Sequence, residues 1–272
     1  MKGLPLVALS VLLTSCGGGG GGSPSPAASA PPPASGTSTT SPASSAAMTF
    51  NNVSGAASSA IADANGGSSF TVDTDANGKT LTLNISTGGI TKTIRLTPNS
   101  AQQVGNPGAA FVVAQSLNFA TFGTWGTSED NAGNFKFGGF AGGQATPIAN
   151  MPRTGSAVYN GSMAGTATNG TNVFSVVGDA QISANFDAQT VGTNFFNMTK
   201  QQVGTNVMIP VTSFSGTSQL SGNVYAGTLA AANGLQTGDV RGQFYGPGAQ
   251  ETAGVWHITG AGTTAVGSFG AR

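Results

Sequence analysis

Charge is what this sequence lacks most. Nine Lys or Arg and nine Asp or Glu make up 7 % of its 272 residues, against about 25 % in an average globular protein. The formal net charge is zero, so there is no basic surplus for an electrostatic nucleic-acid binder, and no nucleic-acid partner is expected. Cysteine and histidine occur once each, as Cys16 and His257. A lone Cys excludes a disulfide within the chain. One His with nine carboxylates leaves little for acid–base or metal chemistry, and no G-x-S-x-G elbow supplies a nucleophile for which His257 would be the base. No catalytic residue, metal ligand or cofactor is assigned, and the chain reads as a non-enzyme. Long hydrophobic runs are missing too: the longest near the start, Leu4 to Leu13, has ten residues, about half of the roughly twenty that a membrane helix needs. Hydrophobic content of 38 % with low charge excludes charge-driven disorder of the whole chain. The 43 glycines follow no three-residue period, which excludes collagen.

What is present begins with a processing signal. Lys2 supplies a positive start, Leu4 to Leu13 an apolar stretch, and no charged residue follows until Asp63. Leu13-Thr14-Ser15-Cys16 resembles the lipobox of bacterial lipoproteins, and the only Cys of the chain stands where lipidation occurs. Residues 1–15 are therefore expected to be a lipoprotein signal peptide and Cys16 the lipidated residue, anchoring the chain to a membrane. Each buried CH₂ contributes about 0.8 kcal/mol, and more than one acyl chain makes such an anchor durable. Gly17 follows where an inner-membrane retention signal would place Asp. By that resemblance, the expected location is the outer membrane of a Gram-negative bacterium, on the cell surface. Six glycines, Gly17 to Gly22, then lead into a Ser-, Pro- and Ala-rich stretch without apolar periodicity. Residues 16–47 read as a disordered tether, flexible at the glycines and stiffened at the prolines.

From residue 48 short β runs separated by Gly and Asn dominate, without helical periodicity. Phe70–Val72 and Lys79–Ile85 flank Asn77-Gly78, a two-residue hairpin signal because a type I′ turn needs positive φ at both positions. Thr87-Gly88-Gly89 turns into Ile90–Leu96. Ala110–Val113, Phe119–Trp125 and Gly133–Phe140 are further strand candidates. The longest alternation is Phe174 to Phe186. Phe174, Val176, Gly178, Ala180, Ile182, Ala184 and Phe186 lie on one face, and Asp179, Gln181, Ser183 and Asn185 on the other. That is an antiparallel sheet buried on one side. Val240, Gly242 and Phe244 repeat the pattern against Asp239, Arg241 and Gln243. Alternating large and small inward residues suit a small closed barrel, which also removes sheet edges. The expected fold is all-β: a small N-terminal handle-like antiparallel sheet over 48–153, then an eight-stranded antiparallel β-barrel over 154–272.

The segments Thr154–Gly161, Val177–Phe186, Gly242–Gly254 and Val266–Arg272 carry, in order, the pieces G-x-A-x-Y-x-G, F-Y-G-P-x-A-x-E-x-x-G and a terminal G-x-F-G-A-x. Together they resemble the C-terminal β-barrel domain of transferrin-binding protein B-like surface lipoproteins, over about the last 119 residues. Phe119–Gly126 resembles that family's pre-barrel segment. The resemblance implies a surface lipoprotein that binds a host protein, a nutrient carrier or a small ligand such as haem, with a TonB-dependent receptor as a further candidate partner. The chain has room for a single lobe. The residues themselves leave two alternatives: a structural surface lipoprotein without a ligand, and an integral outer-membrane barrel, which would need an apolar outer band. No ligand-binding residue is assigned.

Several motifs are decoys. Asp73-Thr74-Asp75-Ala76-Asn77-Gly78 begins like an EF-hand loop, but its twelfth position is Asn84, not Glu. It reads as a hairpin tip, with calcium at Asp73–Asn77 as the open alternative. Gly78-Lys79-Thr80 lacks the rest of a P-loop. The Asn-x-Ser/Thr triplets at Asn52, Asn84, Asn160, Asn169 and Asn197 follow from composition. Strand alternation sets Trp256 beside Gly254 and Ile258 and puts His257 on the opposite face with Val255. The expectation is a core Trp and a surface His, with a haem or iron ligand on the barrel wall as the functional alternative. Phe244-Tyr245-Gly246-Pro247 reads as a strand entering a turn.

Overall fold

The computed structural model describes residues 48–53, 57–63, 69–74, 81–87, 90–96, 111–128, 135–169 and 172–272. In chain order the strands are β1 (Met48–Val53), β2 (Ala57–Asp63), β3 (Ser69–Thr74), β4 (Leu81–Thr87), β5 (Ile90–Leu96), β6 (Phe111–Ser116), β7 (Ala120–Ser128) and β8 (Phe135–Gly143). After a 3₁₀ turn at Ile148–Asn150 come β9 (Ser156–Asn169), β10 (Asn172–Asn185), β11 (Thr190–Gln202), β12 (Met208–Pro210), β13 (Phe214–Ser221), β14 (Val224–Ala231), β15 (Thr237–Tyr245), β16 (Glu251–Gly260) and β17 (Thr263–Ala271).

The all-β expectation holds. Eight strands pair antiparallel in the order β10-β9-β17-β16-β15-β14-β13-β11, and the β11–β10 pairing closes the ring. Closure leaves no free edge in the barrel. The ninth strand of this region, β12, stands outside the ring and pairs only with the end of β11. Before the barrel there are two sheets rather than one: a five-stranded handle, β1-β2-β8-β7-β6, and a separate three-stranded sheet, β3-β4-β5. The register Thr74↔Leu81 centres the β3–β4 hairpin between positions 77 and 78. The Asn77-Gly78 turn itself, with the rest of the calcium alternative at 75–77, lies outside the described residues. Thr87↔Ile90 closes the next hairpin over two residues, as the Gly pair predicts.

Strand β10 shows why the sequence makes a barrel. Phe174, Val176, Ala180, Ile182, Ala184 and Phe186 are buried, while Ser183 and Asn185 face solvent. The β10–β11 register shifts between Val177 and Asp179. Asn197 takes φ 50° there, and its side chain donates a hydrogen bond to Asp179 Oδ2 at 2.7 Å. This β-bulge resets the alternation of β11. Phe195 and Met198, three residues apart, are then both buried in the barrel core, with Gly178 opposite making room for Met198.

Strand β16 is different, because Glu251 through Ile258 are all buried. One face looks into the barrel; the other is covered by the handle, whose Phe122 ring lies over Gly270 of β17 and whose Gly139 meets the backbone of Gly267. The handle and the barrel wall thus form a second buried layer, and Ala120, Phe122, Ala141, Tyr245 and Ala253 pack together within it.

Candidate functional site: the barrel rim and the handle junction

A binding barrel can hold its ligand inside, and the interior is therefore the first place to look. Here it is filled by side chains. Phe244 lies 5.6, 5.9 and 5.5 Å, centroid to centroid, from Tyr159, Phe186 and Tyr225, and Phe195 lies 6.1 and 5.5 Å from Trp256 and Phe269. These tilted contacts are the favoured geometry for aromatic pairs. The two phenols are tied down. Tyr159 Oη donates to the Ala249 carbonyl at 2.7 Å, and Tyr225 Oη shares a 2.8 Å hydrogen bond with Thr252 Oγ1. Burial pushes the Tyr159 phenol up to about 12 and the Tyr225 phenol further in the same direction. Both stay protonated at neutral pH and take no part in acid–base chemistry. The lumen is a core.

The second place is the wall beneath the handle. Glu251, only 1 % exposed, begins β16. Its carboxylate accepts from the backbone N–H groups of Asn118, Phe119 and Ala120 at 2.8, 2.8 and 3.1 Å. Around it the chain is stitched across the junction: Thr146 N–H donates to the Phe244 carbonyl at 2.9 Å, Gly246 N–H to the Gln144 carbonyl at 2.8 Å, and Ser162 Oγ to Gln115 Oε1 at 2.7 Å. A buried charge is tolerable only when hydrogen-bonded, and Glu251 is a clamp of that kind. Sequence reasoning missed it. The signals were its place as the Glu of the F-Y-G-P-x-A-x-E-x-x-G piece and its being one of two Glu residues in the chain, but neither names its partners.

His257 lies on this same outer face of β16 and is 4 % exposed. The expectation of a surface His is thereby corrected: alternation placed it on the correct face, but the handle sheet covers that face. Trp256 is in the barrel core as expected. Phe244 points into the core, Tyr245 into the handle layer, and the chain turns at Gly246 with φ 85°, so these residues form a strand entering a turn and not a contact patch. Among the described residues no three His, Cys, Asp or Glu side chains gather as metal ligands, and no helix is long and apolar enough to cross a membrane. Cys16 lies outside the described residues.

The third place is the rim. Exposed large apolar side chains are Val203, Val207, Met208, Ile209 and Leu235, together with Ile148 and Val158. The first five belong to one end of the barrel. β11 and β14 run parallel, both being antiparallel to β13, so the segment after β11 and the turn after β14 emerge on the same side. Asn233 Nδ2 donates to Thr212 Oγ1 at 3.3 Å, tying that turn to the segment after β12. The rim segments 203–213 and 232–236 carry no charged residue. Lys200 nearby holds its ammonium 4.7 Å from the Phe174 ring centroid. Exposed apolar groups gathered at one end of a barrel make that end a candidate interaction site. The sequence did not disclose this one, because Val-Met-Ile-Pro reads equally well as a buried strand.

Comparison with known proteins fits this architecture. The family model described as the C-lobe and N-lobe beta barrels of Tf-binding protein B matches residues 151–272. A search of curated protein sequences finds no significant match. Among solved structures, intact Ap-TbpB with its N and C lobes is similar at 20 % identity and a TM-score of 0.50, over 66 % of this chain and 40 % of that one. Isotype 1 transferrin binding protein B from serogroup B Neisseria meningitidis is similar at 16 % identity and a TM-score of 0.47, over 84 % of this chain and 58 % of that one. The chain thus spans 40 % of the length of the first of these structures and 58 % of the second. A protein described as a surface lipoprotein is similar at 15 % identity and a TM-score of 0.42, over 75 % of this chain and 96 % of the other. Residues 151–272 are thus similar to the β-barrel lobes of transferrin-binding protein B.

Proposed function

We propose that the protein is a lipid-anchored binding module of the bacterial outer membrane, displayed on the cell surface, which captures a host protein through the uncharged rim of its barrel. The observation that carries this reading is the contrast between a lumen filled by its own side chains and a rim exposing Val203, Val207, Met208, Ile209 and Leu235. A ligand must then be met from outside, and exposed apolar side chains on a rim suit a macromolecule. A transferrin-type iron carrier is the partner class that the family suggests, with a TonB-dependent receptor as the protein that would receive its cargo. Haem has less support, because the single His lies under the handle. In this reading residues 1–15 are removed as a signal peptide, Cys16 carries the acyl chains, residues 16–47 form the tether, and 48–153 and 154–272 are the handle and barrel regions.

Two arms test it. Cys16→Ala is expected to move the protein from the membrane fraction to the soluble fraction of cells expressing it; unchanged retention would remove the anchor from the proposal. In the second arm, immobilised serum transferrin and lactoferrin are offered to wild type and to Val207→Asp/Ile209→Asp. Capture by wild type and a loss of about tenfold or more in the variant is expected, as for central apolar contacts of an interface. Failure of wild type to capture either protein, or equal capture by the variant, would favour a structural lipoprotein or a different face.

A further inference from the structure

We propose that the junction between the handle sheet and the barrel wall is an acid-sensitive latch, in which protonation of His257 loosens the handle from β16. The residue is well placed for this. The outward side chains of β16 are Glu251, Ala253, Val255 and His257, a row that runs beneath the handle. Glu251 at one end is fully engaged with three backbone N–H groups. His257 at the other end is buried, and its Nδ1 has no hydrogen-bond partner among the described residues. β8 approaches the wall closely here: a Cβ at Gly139 would collide with the backbone of Gly267, which pairs with Trp256 next to His257. No layer of side chains separates the two backbones at that point.

Among the described residues, the strands packed around His257 carry few charged groups. On β15 its direct cross-strand neighbour is Asp239, and Arg241 follows on the same face. On β17 its neighbour is Val266, and that strand carries no ionisable residue. From the handle, β7 carries none over Ala120–Ser128, β8 carries Lys136, and β2 ends in Asp63, in register with Gly138. A neutral imidazole is tolerated in this buried layer, whereas an imidazolium needs water or an acceptor at each nitrogen. Burial holds the His257 imidazole below its ordinary range, and the Asp239 carboxylate acts in the opposite direction with the smaller effect.

The sign follows from linkage. The closed junction holds His257 neutral, so its full strength is present above the ordinary His value of about 6.5 and declines as pH falls toward the lowered value. The opened junction lets water reach the imidazole and takes up the proton. Over that window the closed-to-open ratio falls by up to about tenfold per pH unit. The device uses neither the rim nor any captured partner and stands whether or not the rim binds a protein.

His257 is the only His in the chain, so its imidazole signals in a proton NMR spectrum of the full-length protein need no assignment. The expected result is a titration midpoint below 6.5. Across the same interval, amide exchange in Ala120–Trp125 and Phe137–Gly143, taken relative to the intrinsic rate at each pH, should accelerate by up to about tenfold per pH unit, while β10 and β13 keep constant protection factors. Asp239→Asn, which keeps the strand pairing, should move the titration and the exchange midpoint to lower pH together. Titration at or above 6.5, equal acceleration in β10 and β13, or an exchange midpoint that does not follow Asp239→Asn would overturn the latch. His257→Phe provides a second check: if it folds, acid-dependent exchange of the handle should flatten, and persistence of the wild-type profile would also overturn it.

Discussion

Replacing Glu251 by Ala is expected to cost about 3–5 kcal/mol of folding free energy, and to release the handle before the barrel unfolds. The carboxylate is 1 % exposed and is the acceptor for the N–H groups of Asn118, Phe119 and Ala120. Truncation removes three charge-assisted hydrogen bonds and leaves donors facing a methyl group in a layer with little room for water. Each such bond contributes more than a neutral one, and each orphaned donor carries its desolvation cost. Glu251→Gln keeps the shape but replaces one acceptor oxygen by a donor, so about half of that loss is expected. The two tryptophans separate the events: Trp125 is buried in the handle sheet and Trp256 in the barrel core. In guanidinium unfolding followed with single-Trp versions of each protein, the Trp125 transition of Glu251→Ala should shift to lower denaturant than the Trp256 transition. Coincident transitions at the wild-type midpoint would show that the handle is held by other contacts.

The clamp also marks where sequence reading reached its limit. The barrel was legible because the strands away from the handle, β10 above all, are buried on one side only. On β10 the alternation of Phe174, Val176, Ala180 and Ile182 against Gln181 and Ser183 states both the strand and its inward face. The hairpin centred between 77 and 78 was legible because the turn chemistry of Asn-Gly is local. Glu251 was not, since its partners are backbone groups more than 130 positions away and no side-chain pattern announces a backbone donor. His257 shows a subtler limit. Alternation gave the right face, but exposure depended on a second sheet lying over it. The run Ala253-Gly254-Val255-Trp256-His257-Ile258 has almost no polar alternation, which is what burial on both faces of a strand looks like. The rim patch escaped for the opposite reason: hydrophobic residues alone do not say whether they are covered.

Glycine supplies the other large expected effect, because the barrel's aromatic residues are fitted over glycines. The indole of Trp256 lies against Gly165 of β9 and Gly267 of β17, and its Nε1 donates to the Ser268 carbonyl at 3.3 Å. A Cβ at Gly165 would overlap the indole, 2.6 Å from Cη2, and would lie 2.7 Å from the Val266 carbonyl oxygen. Gly165→Ala is therefore expected to destabilise the protein by about 1–3 kcal/mol through overpacking. Trp256→Leu, which leaves the space above both glycines empty, should cost about 3–5 kcal/mol through lost burial and an unfilled cavity. Because the added methyl occupies part of the space that the indole vacates, the pair should be non-additive. The double variant is expected to be more stable than the sum of the single losses by about 1 kcal/mol or more, as for residues in direct contact. Chemical denaturation of the four proteins in one cycle measures that coupling. Strict additivity would mean that the backbone of β9, pressed between β10 and β17, sets the cost at Gly165, and that the indole above it yields without strain. A positive coupling would give the abundance of glycine in this low-charge chain a direct physical role: it sets how close a large ring can lie to the wall of a small barrel.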